Sequence, residues 1–244
     1  MRLDHSSWYE VDGYLARSRG IIIPAGSTEQ HGPIGLIGTD AICAGMIAEQ
    51  AAMLAGAMVA PTLAYAPARF NLDFPGTVSI SPRQFQSIAE GICRSLGRQG
   101  FVHFYFLNGH GANLEPLHRL HMVFPKLRIR IASWWDFPPV EELRQRHFGE
   151  LEGMHATPSE ISITRMAGRI LDHPDAGREP ARLSPEYISK ARGDRHGPPG
   201  RHRAEFPDGR VGSHSALATP ELGRLLFDAA AQATAGDYRR FLAT

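Results

Sequence analysis

Two short stretches of this chain are apolar at nearly every position: Gly20-Ile21-Ile22-Ile23-Pro24 and Phe101-Val102-His103-Phe104-Tyr105-Phe106-Leu107. A strand without polar alternation has no face to offer water, so each must lie inside a sheet covered on both sides, as parallel strands joined by helices do. The residues between and after them supply those helices. Apolar residues recur at helical spacing from Ala41 to Leu54, and Ala57–Pro61 then reads as a second strand, completing a strand-helix-strand unit. Thr77–Ile80 reads as a short strand. Ser81 as cap and Pro82 at the first helical position start a helix that runs through Leu96 and ends in the Gly97–Gly100 segment. A helix over Asn113–Val123, a strand over Leu127–Ala132, a helix over Ser159–Ile170 and a closing helix over Thr219–Phe241 continue the alternation. The pattern predicts an α/β three-layer sandwich built on a mainly parallel, doubly wound sheet.

At 244 residues the chain fits one large α/β core, and a single domain over 1–244 is expected. The segment 178–210, rich in Pro, Gly and Arg, reads as an extended excursion over its surface. With 43% apolar and 21% charged residues and a net charge of +1, the composition is that of a folded protein. Its basic residues are spread along the chain rather than gathered into a phosphate-binding face, which excludes nucleic acid as an expected partner. Residues 1–20 lack the basic start and apolar stretch of a signal peptide, and no later apolar run approaches the ~20 residues of a membrane span. No membrane partner and a cytoplasmic location are expected. Cys43 and Cys93 form no CxxC pair and read as buried thiols.

Ligands of open α/β sheets bind at the carboxyl ends of the strands. The loop leaving the first strand carries Glu29 and His31, with Asp40 at the entrance to the next helix; the loop leaving Phe101–Leu107 carries His110. On extended backbone Glu-x-His points both side chains to one side, so one ion or two neighbouring ions could be gripped there, with Asp40 between them. Carboxylate and imidazole ligands suit Zn²⁺, Mn²⁺ or Fe²⁺. Two plainer readings compete: Asp40 as a helix cap, and Asn108-Gly109-His110-Gly111 as a turn.

Taken together, Ile23-Pro24-Ala25-Gly26-Ser27-Thr28-Glu29-Gln30-His31-Gly32-Pro33, Gly38-Thr39-Asp40-Ala41, Phe74-Pro75-Gly76-Thr77 and Asn108-Gly109-His110-Gly111-x-Asn113 resemble the successive motifs of the creatininase family. His155-Ala156 with Glu160 is similar to the family's later His-Ala-x-x-x-Glu motif, and Pro207–Gly212 resembles its late glycine-rich loop. The resemblance implies a metal-dependent amidohydrolase with two divalent metals per subunit, Glu29 and His110 holding one, His31 the other and Asp40 bridging. It also implies a homo-oligomer, a hexamer being typical. Glu160 is then an additional ligand or a carboxylate standing behind the ligands, and His155 the proton shuttle to the leaving nitrogen, with a core histidine as its plainer reading. The Tyr and Glu that follow the motif His in creatinine hydrolases are Gly111 and Ala112 here, and Ile34 and Pro158 depart as well. Creatinine itself is therefore not the expected substrate, and the second metal needs another ligand.

The expected substrate is a small-molecule amide, cyclic or a formamide, cut at a non-peptide C–N bond. The alternatives are a peptide-cleaving enzyme that matures a peptide-derived cofactor, and a non-catalytic metal-dependent ligand-binding or scaffold protein. Trp134-Trp135 could wall the pocket or pack the core. Arg69 is the expected grip for an anionic substrate. His196, His202 and His214 are expected in solvent.

Overall fold

The computed structural model describes residues 1–243. Its sheet joins β1 (Gly20–Ala25), β2 (Met58–Val59), β3 (His103–Asn108) and β4 (Arg128–Ser133), all parallel, in the order β2-β1-β3-β4. Helices α1 (Trp8–Leu15), α2 (Thr39–Ala55), α3 (Pro82–Gln99), α4 (Leu114–His118), α5 (Leu120–Val123) and α6 (Pro138–His147) are followed by α7 (Pro158–Ala167), α8 (Pro185–Ala191), α9 (Pro199–Glu205) and α10 (Pro220–Leu242). The apolar runs lie at the centre of the sheet, with Ile21 beside Phe104 and Ile23 beside Phe106.

Strand alternation sends successive side chains to opposite faces. Ile22, Tyr105 and Leu107 pack with Cys43 and Ile47 of α2 and with Phe227 and Ala230 of α10. Ile21, Ile23, Phe104 and Phe106 pack on the other side with Phe85, Ala89 and Cys93 of α3 and Tyr14 of α1. Each such side chain contributes roughly 1.5–3 kcal/mol by leaving water, which is why apolar residues dominate these two strands. Ser81 caps α3 in a reciprocal capping box with Gln84, and Gly100, at φ 114°, ends it in the left-handed region. Both cysteines are free and buried. Among the described residues no helix is long and apolar enough to cross a membrane.

Three expectations change. The strand expected at Ala57–Pro61 shortens to two residues at the sheet edge, where residue 59 pairs with the chain start through an Arg2–Val59 bridge. Thr77–Ile80 joins no ladder; it bridges Thr28 and Ala66 and so braces the loop after β1. The helix expected over 113–123 is two short helices, α4 and α5.

Candidate metal centre

From β1 the chain crosses to β2 on one side, and from β3 it crosses to β4 on the other, so the order of connection reverses between β1 and β3. Loops diverge there and leave a crevice outside the strand ends, the place where doubly wound sheets bind ligands. Glu29 and His31 enter it from the β1 loop, His110 from the β3 loop and Asp40 from the first turn of α2. Two glycines make room for the helix start. A Cβ on Gly26 would lie 2.5 Å from the Asp40 carbonyl carbon, and one on Gly109 would lie 2.6 Å from the Asp40 carbonyl oxygen. The β1 loop is pinned by Glu29 N donating to Ile37 O (2.7 Å) and Gln30 N donating to the Thr77 hydroxyl (3.1 Å).

Asp40 does not cap α2; the cap position is Gly38, and no side chain caps it. Its carboxylate instead turns inward, Oδ1 lying 2.9 Å from His31 Nε2 and Oδ2 3.0 Å from His110 Nδ1. Backbone carbonyls set both imidazoles. His31 Nδ1 donates to Glu29 O (3.0 Å) and His110 Nε2 to Pro67 O (2.7 Å), so the opposite ring nitrogens are held facing the carboxylates. Glu29 Oε1 stands 3.4 Å from that same His110 nitrogen and 3.5 Å from His155 Nδ1. Both Glu29 oxygens and Asp40 Oδ2 are buried with no hydrogen-bond partner. Buried carboxylate oxygens without a hydrogen-bond partner are costly unless positive charge lies beside them.

Ligand atoms of Glu29, Asp40 and His110 lie within 4.8 Å of one another, as do those of His31, Asp40 and Glu160 and those of Glu29, His31 and His155. The first two sets share Asp40, one oxygen directed to each imidazole, which is the arrangement of a carboxylate between two cations. The residues present thus fit divalent metals, and their mix of carboxylate oxygen and imidazole nitrogen is that of Zn²⁺, Mn²⁺ or Fe²⁺ sites.

Burial and mutual charge set the protonation of these groups. Burial pushes the Glu29 carboxyl up to about 8 against the pull of His110, and burial raises Glu160 to about 7. Burial works against charge on His31 too, but Asp40 and Glu160 outweigh it and raise the imidazole to about 10. For Asp40 burial again opposes ionisation, and His31 and His110 overcome it, holding the carboxyl below the usual carboxylate range. His155 goes the other way: burial and the neighbouring His31 keep it neutral.

All six expected residues, Glu29, His31, Asp40, His110, His155 and Glu160, converge here. Glu160, at the third position of α7, closes a capping box in which its Oε1 accepts from Thr157 N (2.6 Å), and the same oxygen is 3.8 Å from His31 Nε2. His155 Nε2 is 2.8 Å from Gln30 O and has the amide nitrogens of Gln30 and Asn71 at 3.0 and 3.1 Å. A cavity of about 620 Å³ opens on the cluster, lined by Asp40, His110, His155 and Glu160 and walled by Trp134 and Trp135. Both earlier readings of the tryptophans hold, since Trp134 also belongs to the core.

Arg69 is exposed and does not line this cavity; the arginines that do are Arg144 and Arg192. The excursion is mostly exposed, as expected, but it forms α8 and α9 and sends some residues inward. His196 and His202 are buried with their rings packed against Phe70, and Asp194 reaches the cavity. Asp194 escaped the sequence reading because nothing local marks it; its bond to Ala112 N joins residues 82 positions apart.

A match of 39% identity over 103 residues links the chain to the mycofactocin precursor peptide peptidase of Mycolicibacterium smegmatis, covering 40% of this chain and 41% of that protein. Another, 30% over 142 residues, links it to the 3-dehydro-scyllo-inosose hydrolase of Thermotoga maritima, covering 57% and 45%. These matches thus span under half the length of either relative. Among solved structures a creatininase in its Mn form superposes with a TM-score of 0.73 at 22% identity, covering 98% of this chain and 97% of the other, a likeness of fold. The family model described as creatinine amidohydrolase matches residues 4–236, and the chain therefore belongs to the creatininase family.

Proposed function

We propose that this chain is a metal-dependent amidohydrolase in which Glu29, His31, Asp40, His110 and Glu160 would hold two divalent cations. The observation that carries the reading is the shared carboxylate: one Asp40 oxygen faces His31 and the other faces His110, beside Glu29 oxygens that have no partner of their own. Cations held there would lower the pKa of a bound water toward neutrality and polarise the carbonyl of the scissile amide. The buried Glu29 oxygens and Asp40 Oδ2, which have no hydrogen-bond partner, fix where positive charge collects, and the carbonyl-bonded imidazoles are held facing it. His155, neutral and bordering the cavity, is placed to take up a proton at Nδ1 and deliver it to the leaving nitrogen. Glu160 has the role of a ligand beside His31, its carboxylate oriented by Thr157 N. Trp134 and Trp135 give the cavity a flat apolar wall for the substrate.

A small cyclic amide or formamide, cut at a non-peptide bond, is the first substrate class. A peptide is the second, favoured by one observation: the cavity borders another of about 520 Å³ and shares Arg144, Gly153, Met154 and Ile188 with it, room for an extended chain. The relative named as a peptidase points the same way. Assembly into a homo-oligomer is part of the same proposal.

A panel of formamides, cyclic amides and short peptides, followed by chromatography with and without chelator, tests the reading. Metal-dependent release of an amine is expected. His155→Ala is expected to lower kcat by roughly 10²–10⁴ while metal content stays unchanged. Metal-loaded protein that cleaves nothing in the panel would instead favour a ligand-binding or scaffold role.

A further inference from the structure

We propose that Asp194, delivered from the excursion, is a fourth protein ligand for the cation that Glu29, Asp40 and His110 hold. The inference rests on the metal-centre reading above and adds a residue to it. Asp194 stands outside the three-residue set, yet its Oδ2 lies 3.4 Å from His110 Nδ1, the nitrogen that also faces Asp40 Oδ2 at 3.0 Å and Glu29 Oε1 at 3.4 Å. Three carboxylates therefore surround one imidazole nitrogen. A single proton on that nitrogen could satisfy one of them, whereas a divalent cation in front of it satisfies all three.

The surroundings are shaped to hold this carboxylate. Asp194 has φ 58°, a left-handed conformation that follows Gly193 at φ 69° and turns the side chain inward; aspartate and asparagine are the side chains that tolerate it best. Ala112 N donates to Oδ2 at 2.9 Å and fixes its position. Gly111 leaves the space, since a Cβ there would lie 2.6 Å from Oδ2. On the far side His196 Nε2, itself buried, stands 3.6 Å from Oδ1. The carboxylate is only 12% exposed, so it is not a solvated surface acid. Gly111 and Ala112, which leave no side-chain ligand after His110, are the positions that admit one from elsewhere in the chain.

The test is a titration of metal-free wild type and Asp194→Asn with Mn²⁺, read by competition with a chromogenic chelator. Asparagine keeps both the left-handed backbone and the acceptor for Ala112 N while removing the charge. Wild type is expected to bind two ions per chain, and Asp194→Asn to bind one of them about 10- to 100-fold more weakly with the other unchanged. Gly111→Ala, which leaves Asp194 in the chain but occupies its place, is expected to weaken the same ion, and decides the matter if Asp194→Asn does not fold. Equal affinities in wild type and variant overturn the assignment of Asp194 alone. A wild type that binds no Mn²⁺ overturns the metal centre with it.

Discussion

Among single residues, Asp40 shows why a motif read from sequence needs the fold to give it meaning. By position it could have been a cap; in the structure each of its oxygens faces an imidazole, and two glycines let its backbone come that close. His202 shows the reverse. Placed by sequence in a solvated loop, it is fully buried between Phe70 and Phe206, and neither ring nitrogen has a hydrogen-bond partner. Burial, aided by His196, pushes its pKa from 6.5 down to about 4. The sign of the linkage follows. Above about pH 6.5 the ring is neutral in both states; as pH falls, the unfolded chain takes the proton first, and stability is lost until the folded ring titrates near 4. The melting temperature of wild type should therefore fall more steeply between pH 6.5 and 4 than that of His202→Leu. Parallel pH profiles for the two proteins would rule this out.

At the level of elements, α10 holds the sandwich closed. It packs on α2 and α7, and its first turn comes so near α7 that a Cβ on Gly223 would sit 2.0 Å from Ser162 O. Helix propensity alone would make Gly223→Ala stabilising by about 1 kcal/mol. The contact is with backbone, which cannot swing aside, so overpacking of about 1–3 kcal/mol should win and lower the melting temperature by several degrees. A higher melting point in the variant would show that α10 and α7 can separate at no cost.

What the sequence made legible at this level divides by range. The buried strands, the capped start of α3 and the Thr219-capped start of α10 were readable because hydrophobic period and caps are local signals. The bracing role of Thr77–Ile80 and the inward turn of the excursion were not. They depend on pairings such as Val78 with Thr28 and Asp194 with Ala112, which no local pattern encodes.

For the whole molecule, the doubly wound order β2-β1-β3-β4 matters most, because it sets the loops after β1 and β3 side by side. Glu29 and His110 lie 81 positions apart and yet meet at 3.4 Å because their strands are neighbours in register. The candidate ligands were legible from their motifs; their mutual geometry, and the cavity closed over them by the excursion, came only with the fold. Everything proposed for this crevice depends on its holding metal. Elemental analysis of purified wild type, Glu29→Gln and Asp40→Asn, each loaded with Mn²⁺ and desalted, is the most direct measurement. About two ions per chain are expected in wild type, about one in Glu29→Gln and none in Asp40→Asn, since the shared carboxylate would serve both positions. Metal-free wild type, or an Asp40→Asn variant that retains its full complement, would contradict the proposal.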